Sequence, residues 1–203
     1  MSDPDRSVDP LAERLVASEL LHRGHVLEFR VDTVERADGR RAQRDVAAHP
    51  GAVAIVAVDP DGRVLLVRQY RHPAGRALLE IPAGTLDRDP ASGTIEDPDV
   101  AARRELEEET GYRAGRWERL ADFWTAPGFA TERMFLYLAS DLALAGQDRL
   151  ELDEDEALEL VRLPWREALA AAERGEIGDA KSLVGIFWLA RRMEAQVEAG
   201  PAS

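Results

Sequence analysis

The order of apolar and polar residues in the first quarter of the chain is typical of β-structure. Between Arg14 and His49 the clearest segment runs from Val26 to Val34, where the two kinds of residue partly alternate, as in a half-buried strand. Ala37–Gly39 is a turn, and Arg41 to Ala47 is predicted to be the return strand. Two or three strands of this size do not easily bury their own apolar face. We therefore expect this unit to pack on the main domain or on a second subunit.

The middle of the chain predicts a sheet. Gly51 to Val58 is almost continuously apolar, as in a strand that is buried on both faces. A turn at Asp59–Gly62 leads into a second strand from Arg63 to Gln69, so the two form a hairpin. Leu78–Ile81 is a short strand. Further strands are predicted at Trp117–Thr125, Arg133–Ala139 and Leu158–Leu163, a loop at Asp141–Leu152, and helices at Pro164–Ala172 and at about 180–198.

Strands mixed with three helices predict an α/β (α+β) fold, an α/β/α sandwich around a mixed sheet. Large apolar side chains are expected in its interior. On the last helix these are Leu183, Ile186, Phe187, Leu189 and Ala190, and the tryptophans expected in the core are Trp117, Trp124, Trp165 and Trp188.

Residues 96–112 are predicted to form the central helix. Asp97 is a good N-cap, because its carboxylate can accept hydrogen bonds from the free N–H groups of the first turn. Pro98 follows at the first helical position, where its missing N–H group costs nothing. Gly111 is placed to end the helix in a left-handed conformation.

Three carboxylates of this helix share one face. At 100° per residue, Glu105, Glu108 and Glu109 fall within an arc of about 100°. Like charges at this spacing repel one another, and a divalent cation would reverse the sign of the interaction. Ligands that offer only oxygen suit Mg²⁺, or Mn²⁺ as a substitute, better than zinc. The alternative is an acidic, solvated helix face, since the whole chain is acidic.

Composition limits the kinds of partner that the chain can take. A chain of 203 residues suits one domain or one domain with an extension. A net charge of −13 argues against a nucleic-acid partner. The longest apolar run, Ala52 to Val58, is too short to cross a membrane. The N-terminus lacks a basic region followed by an apolar one, so we expect a cytoplasmic protein. Cysteine is absent, which excludes disulfides and thiolate chemistry.

The order of residues from Arg104 to Tyr112 resembles the core of the Nudix box, R-E-U-x-E-E-x-G-U, where U is apolar. The box also has a Glu eight positions before the Arg, and Glu96 occupies that position. Its leading glycine is best matched by Gly84, with Gly93 the weaker alternative. Gly84 precedes Arg104 by 20 positions where the box has 14, which indicates a six-residue insertion between about 87 and 95.

Outside the box the chain resembles the ADP-ribose pyrophosphatases, the ADP-sugar diphosphatase branch of the Nudix hydrolases. The matching segments, in order, are Arg68–Pro73, Leu79–Gly84, Ala126–Phe129 and Asp153–Glu156. The resemblance implies a Nudix sandwich with a small N-terminal antiparallel β unit. It also implies Mg²⁺-dependent hydrolysis of ADP-ribose to AMP and ribose 5-phosphate. The domains expected are a β unit at 13–48 for dimerisation and a hydrolase domain at 49–198, with flexible ends at 1–12 and 199–203.

The resemblance assigns roles in the metal site to residues of the box. Glu105 and Glu109 match the main metal ligands, Glu108 is a helper or a further ligand, and the backbone carbonyl of Ala83 is another ligand. Gly84 would let the chain turn tightly beside that carbonyl. The remaining positions of the box have structural roles. Arg104 would orient a carboxylate of the box, Glu96 would brace the loop and Gly111 would end the helix.

The resemblance also suggests a proton acceptor in the acidic run. Glu154 is expected to be the general base and Glu156 an additional or outer-sphere metal ligand, although the two could be exchanged. Ordinary solvation of an acidic loop is the alternative explanation of this run.

The remaining expectations concern the substrate. Arg71 would meet its phosphates, since a guanidinium fork suits a diphosphate, and Glu80 would lie beside it. The residues expected near the ribose are Glu132 and Gly128, and the weaker candidates for an adenine site are Arg44 and Phe29, supplied across a dimer.

Three further expectations concern partners and alternatives. We expect a homodimer with exchanged N-terminal strands. Another nucleoside diphosphate sugar or a dinucleotide stays open as the substrate. A sensor that binds ADP-ribose without cleaving it is a third hypothesis, but such proteins usually lose the carboxylates of the box, which are intact here.

Overall fold

The structure, a computed structural model, describes residues 9–151 and 157–199, with side chains as far as Ala195. The predictions of flexible ends therefore fall largely outside the described residues. The strands of the described residues are β1 (Glu13–Arg23), β2 (Glu28–Arg36), β3 (Arg41–Ala48), β4 (Ala52–Val58), β5 (Arg63–Arg71), β6 (Arg76–Glu80), β7 (Ala83–Thr85), β8 (Tyr112–Trp124), β9 (Arg133–Leu144) and β10 (Leu158–Pro164). Their α-helices are α1 (Pro98–Thr110), α2 (Trp165–Glu173) and α3 (Ala180–Ala199).

The chain divides into two compact units. The first unit contains the chain up to Pro50 and the loop Ala126–Glu132, and the second contains Gly51–Thr125 and the chain from Arg133 onward. Sequence reasoning expected a boundary near residue 49 but did not assign the loop to the first unit.

The first unit is an antiparallel sheet in the order β1-β2-β3. The strands predicted near Val26–Val34 and Arg41–Ala47 are confirmed as β2 and β3, and β1 is the third strand. The loop Ala126–Glu132 joins the end of β3 through backbone hydrogen bonds. Ala47 N–H donates to the Phe129 carbonyl at 2.8 Å, and Thr131 N–H donates to the Ala47 carbonyl at 3.0 Å.

The second unit is a seven-stranded mixed sheet with helices on both faces. Its strand order is β10-β5-β4-β9-β8, with β6 added to β5 and β7 added to β4. Only β4 and β9 run parallel among its described strand pairs. Alternate residues of β4 enter two cores: Val53, Ile55 and Ala57 pack with α1, and Ala52, Ala54 and Val56 pack with α2 and α3. Burial on both faces explains the continuous apolar run of β4 and confirms the predicted sandwich.

The predicted loop at Asp141–Leu152 is wrong for its first residues, because β9 continues to Leu144. Leu142 is buried and pairs with Ala114 of β8. Cross-strand pairing therefore outweighs the poor strand propensity of Asp141, which adopts a positive φ of 56°.

Some predictions about the core are also wrong. Trp124 is 54% exposed and Trp188 is 46% exposed, and Phe187 lies at the surface of α3. The buried face of α3 is narrower than predicted, because it uses Ile186, Leu189 and Ala190. Apolar residues at helical spacing predict a face, but its width depends on what packs against it.

The six-residue insertion forms a small closed loop at the surface. Arg88 and Ile95 pair as an isolated β-bridge, and Glu96 N–H donates to the Asp87 carbonyl at 2.8 Å. Gly93 makes the turn with a φ of 72°, and an added Cβ there would meet nothing within 4 Å. The insertion therefore closes on itself through local hydrogen bonds.

Of the described helices, none is long and apolar enough to span a bilayer.

Candidate active site

Helix α1 has the ends that its sequence predicts. The Asp97 carboxylate accepts a hydrogen bond from the Asp99 N–H group at 2.8 Å, and Pro98 is the first helical residue. Gly111 adopts a φ of 71°, and its N–H group donates to the Glu107 carbonyl at 2.8 Å. The first turn is also tied to the sheet, because the Tyr137 hydroxyl donates to Asp99 at 2.5 Å. These contacts fix which face of α1 carries the carboxylates.

Two of the three predicted carboxylates of α1, Glu105 and Glu109, lie against strand β7, and Glu108 is joined to Glu105 through Arg104. Glu105 and Glu109 are buried, although carboxylates are rarely buried without partners. The Ala83 N–H group donates to Glu109 Oε2 at 3.0 Å. Arg104 Nη1 donates to Glu105 Oε1 at 2.8 Å and to Glu108 Oε2 at 2.9 Å. The helix face and the β7 backbone therefore meet at Ala83.

The structure gives a different explanation for the glycine at position 84 from the one expected. Gly84 lies within β7, opposite Val53, and its φ is not in the left-handed region, so the expected tight turn is wrong. An added Cβ would instead overlap the Glu105 carboxylate. Any larger residue here would force the Glu105 carboxylate to shift, because the carboxylate approaches the backbone closely. Gly93, the alternative match, has an open surface position and no such contact.

Arg104 connects the box carboxylates to the loop before the helix. Its Nη2 donates to Glu96 Oε2 at 2.8 Å and to the Thr85 carbonyl at 3.3 Å. Burial lowers the pKa of Arg104, but the hydrogen bond to Glu96 and the charge of Glu105 outweigh burial and raise the pKa. Glu96 in turn accepts from the Asp87 N–H group at 3.2 Å. Both contacts agree with the bracing roles expected of Arg104 and Glu96.

A second charged cluster surrounds Glu80, which is only 2% exposed. Arg71 Nη2 donates to Glu80 Oε2 at 2.7 Å, and Lys181 Nζ donates to the same oxygen at 2.8 Å. Lys181 also donates to Asp179 Oδ1 at 2.8 Å. Burial raises the pKa of the Glu80 carboxyl, but the bonds from Arg71 and Lys181 outweigh burial and lower the pKa. Glu80 is thus a buried anion between two cations.

The charges of the two clusters act on each other. Burial lowers the pKa of Arg71, but the hydrogen bonds and charge of Glu80 outweigh it. The negative charges of Glu109 and Asp179 raise the pKa of Arg71 further. The guanidinium of Arg71 therefore lies within the field of one α1 carboxylate, that of Glu109.

Sequence reasoning missed Lys181 and Ser182, which start α3. Asp179 caps this helix, because its Oδ1 accepts from the Ser182 N–H group at 3.1 Å. Ser182 is fully buried, and its hydroxyl accepts from the Ile81 N–H group at 2.9 Å. One signal could have identified Lys181, because it is the only lysine in the sequence.

Residues expected at the ribose lie in the first unit. Glu132 Oε1 lies 3.8 Å from His49 Nε2. Burial lowers the pKa of His49, and the opposing effect of Glu132 is smaller. Thr131 supports this pair, because its hydroxyl accepts from the His49 N–H group at 2.8 Å. Gly128 belongs to the same loop, and an added Cβ there would meet nothing within 4 Å.

Phe29 and Arg44, the expected adenine residues, are separated in the first unit. Phe29 lines a cleft of about 370 Å³, whereas Arg44 is not among its lining residues. Arg44 instead pairs with Glu13 of β1. The cleft is lined by Leu21, Phe29, Arg30, Val31, Asp45, Val46, Ala47 and Phe129.

Glu154 and Glu156, the expected general base and additional metal ligand, lie outside the described residues. The chain just before them is attached to α1, because the Leu150 N–H group donates to Glu107 Oε1 at 3.0 Å. Glu107 also accepts two hydrogen bonds of 2.7 Å from Arg113.

The oxygen donors expected to hold a metal ion are only partly assembled. Among the described side chains, no three carboxylates or imidazoles are grouped as a metal site. Glu105 and Glu109 nevertheless flank the β7 backbone at Ala83 and Gly84, and an added Cβ at Gly84 would remove that space. Two carboxylates and a backbone carbonyl are hard oxygen donors, which fit Mg²⁺ or Mn²⁺.

Comparisons with known proteins find relatives that match most of the chain. The ADP-ribose pyrophosphatase of Bacillus subtilis (strain 168) is 38% identical over 188 residues, which are 93% of this chain and 98% of that protein. The methanol dehydrogenase activator of Bacillus methanolicus is 39% identical over 177 residues, which are 87% of this chain and 92% of that protein. A crystal structure of an ADP compounds hydrolase matches with a TM-score of 0.77 at 25% identity, over 94% of this chain and 98% of that chain.

The family model of the NUDIX domain matches residues 48–184, which contain the whole of α1 and both charged clusters. The chain therefore belongs to the Nudix family.

Proposed function

We propose that the protein hydrolyses the diphosphate bond of ADP-ribose to give AMP and ribose 5-phosphate. The observation that carries this proposal is the face of α1, where Glu105 and Glu109 meet the backbone of β7 and the charge of Glu109 acts on Arg71. The similarity to an ADP-ribose pyrophosphatase over 93% of the chain and to an ADP compounds hydrolase over 94% supports the choice of substrate.

A divalent metal ion is expected of a Nudix protein. Glu105, Glu109 and the carbonyl of Ala83 would hold Mg²⁺, or Mn²⁺ in its place, with Glu108 as a helper. Such an ion would neutralise charge on the diphosphate oxygens and lower the pKa of a bound water. Arg104 would keep the carboxylates in position, since it already bonds Glu105 and Glu108.

The proposed reaction is the attack of water on one phosphorus. The bond between that phosphorus and the bridging oxygen breaks, and the proton of the water passes to a carboxylate. Glu154 is our candidate for this general base and Glu156 for an additional or outer-sphere metal ligand. Both assignments rest on the sequence resemblance.

Arg71 is the proposed phosphate contact. It uses Nε and Nη2 to bond Glu80, and its Nη1 makes no hydrogen bond to the described part of the chain. One edge of the guanidinium is thus held by the protein while another remains for an anion. Glu80, fully engaged by two cations, is better suited to hold Arg71 than to touch the substrate.

The proposed nucleoside contacts rest on the sequence resemblance. Glu132 and Gly128 are proposed at the ribose, in a loop held by the hydrogen bonds of Thr131. The apolar cleft that Phe29 lines has the character of a site for a flat base such as adenine. Arg44, which pairs with Glu13, is the weaker of the two adenine candidates.

Product analysis tests the proposed function. The protein is incubated with Mg²⁺ and, in separate reactions, with ADP-ribose, ADP-glucose, GDP-mannose and NADH, and the nucleotides formed are resolved by chromatography. We expect AMP from ADP-ribose in clear preference, and no product when EDTA removes the metal. Preference for another compound would keep the metal chemistry but change the substrate. Tight binding of ADP-ribose without cleavage would support the sensor hypothesis.

A cytoplasmic location remains a prediction of the sequence.

A further inference from the structure

The chain contains a single lysine. Of its 26 lysine and arginine residues, 25 are arginines and the remaining one is Lys181. The Lys181 side chain is only 13% exposed, whereas many of the arginines in ion pairs are largely exposed. An ammonium is a compact point charge, and a guanidinium is a wide planar fork. The lysine is therefore found where a small cation has to fit between two carboxylates.

The position of Lys181 is unfavourable for the helix itself. It is the second residue of α3, and the N-terminus of a helix carries a partial positive charge that repels cations. Burial adds a desolvation penalty for the ammonium. Its compensation comes from Glu80 and Asp179, each 2.8 Å from Nζ. Because Lys181 does not stabilise the helix, we look for its role in its contacts with Glu80 and Asp179.

The partner that connects Lys181 to the active site is Glu80. Lys181 Nζ and Arg71 Nη2 both donate to Glu80 Oε2, at 2.8 and 2.7 Å. Together with Asp179 the four side chains carry two positive and two negative charges. Removal of the ammonium would leave an excess negative charge next to Arg71, close to where an anionic diphosphate has to bind. Glu80 would then be neutralised by Arg71 alone.

We propose that Lys181 is a positioning residue for Arg71, acting through Glu80, in the hydrolysis assigned above. Lys181 neutralises part of the negative charge of Glu80. The Glu80 carboxylate therefore orients the guanidinium of Arg71 without neutralising all of its positive charge. The inference rests on the proposed function, because Arg71 acts there as the phosphate contact. Its effect belongs to substrate binding rather than to the chemical step.

A double-mutant cycle tests this role. Lys181→Met removes the charge and keeps the length, and we expect it to raise KM for ADP-ribose about tenfold while kcat changes less than about threefold. Lys181→Arg restores the charge and should recover part of the loss. In a Glu80→Gln background, Lys181→Met should add little, since the two residues act as one unit. The control Arg191→Met removes a positive charge from the exposed side of the same helix and should leave KM unchanged.

The pair can be observed without turnover. Lysine labelled with ¹⁵N at Nζ gives a single side-chain ammonium signal in this protein, because there is one lysine. We expect the buried, hydrogen-bonded ammonium of the wild type to give a signal at neutral pH, and Glu80→Gln to shift or abolish it. Circular dichroism melting of each variant separates a local effect from unfolding.

The outcomes distinguish two failures. A wild-type protein that does not cleave ADP-ribose overturns the proposed function, even if the ammonium signal proves that the pair exists. Active wild type with an unchanged KM in Lys181→Met overturns the positioning role alone. Strictly additive effects of Lys181→Met and Glu80→Gln on KM would also overturn it. So would a loss of kcat and of thermal stability in Lys181→Met without a change in KM.

Discussion

Gly84 is the residue that most directly links backbone geometry to the candidate metal ligands. An added Cβ would overlap the Glu105 carboxylate, so Gly84→Ala has to displace either the carboxylate or β7. Because a displacement of about 1 Å can cost a hundredfold in rate, we expect kcat/KM to fall by about 100-fold or more. Steady-state kinetics with saturating Mg²⁺ measures the change.

Gly93→Ala is the matched control for Gly84→Ala. Gly93 has a positive φ and open surroundings, so alanine there should reduce stability by about 1 kcal/mol but leave the rate unchanged. Equal activity of the two variants would mean that the close approach of Glu105 to β7 does not matter for catalysis.

More of the candidate metal ligands than of their surroundings could be predicted from the sequence. Spacing on one helix placed Glu105, Glu108 and Glu109 together, because helical geometry is local and periodic. Lys181 could not be found in this way, because its partner Glu80 is 101 positions earlier in the chain. The reason for Gly84 was missed for a similar cause, since its neighbour Glu105 belongs to another element.

At the scale of elements, α3 does more than cover the sheet. The Ser182 hydroxyl accepts from the N–H group of Ile81, between β6 and β7, and both residues are fully buried. Ser182→Ala would leave that N–H group without a partner, which costs about 1–3 kcal/mol. We expect a lower free energy of unfolding in urea, together with a weaker effect on activity than that of Gly84→Ala.

Ser92→Ala is the control for Ser182→Ala, because Ser92 lies in the exposed insertion loop and its hydroxyl bonds only local partners. Its stability should stay within about 0.5 kcal/mol of the wild type. If both serine variants unfold at the same urea concentration, the bond between α3 and the segment before β7 contributes little.

The elements themselves were predicted well where their pattern is local. The N-cap at Asp97 and the left-handed end at Gly111 follow from single residues with defined backbone preferences, and both are confirmed. The end of β9 was predicted too early, because the pairing of Leu142 with β8 depends on a distant strand. The exposure of Trp188 likewise depends on which elements pack against α3. Non-local packing therefore accounts for the errors.

At the scale of the whole molecule, the first unit keeps apolar side chains at its surface. Leu15, Leu20 and Leu21 of β1 are 54%, 50% and 60% exposed. A three-stranded sheet of this size does not easily bury its own apolar side chains, so these leucines need a further surface to cover them. We propose that a second copy of the chain provides that surface, in a homodimer that exchanges its N-terminal strands.

Light scattering coupled to size exclusion tests the dimer. The molar mass measured for the wild type should be twice that of the chain. The double variant Leu20→Glu with Leu21→Glu should have a molar mass closer to that of the monomer, because a buried carboxylate without a partner opposes association. Leu144→Glu, at an exposed position of β9, is the control and should stay dimeric. Activity adds a further distinction, since a subunit that lends Phe29 to its partner's substrate should lose ADP-ribose affinity on dissociation. A stable, fully active monomer of the wild type would contradict both the dimer and the shared site.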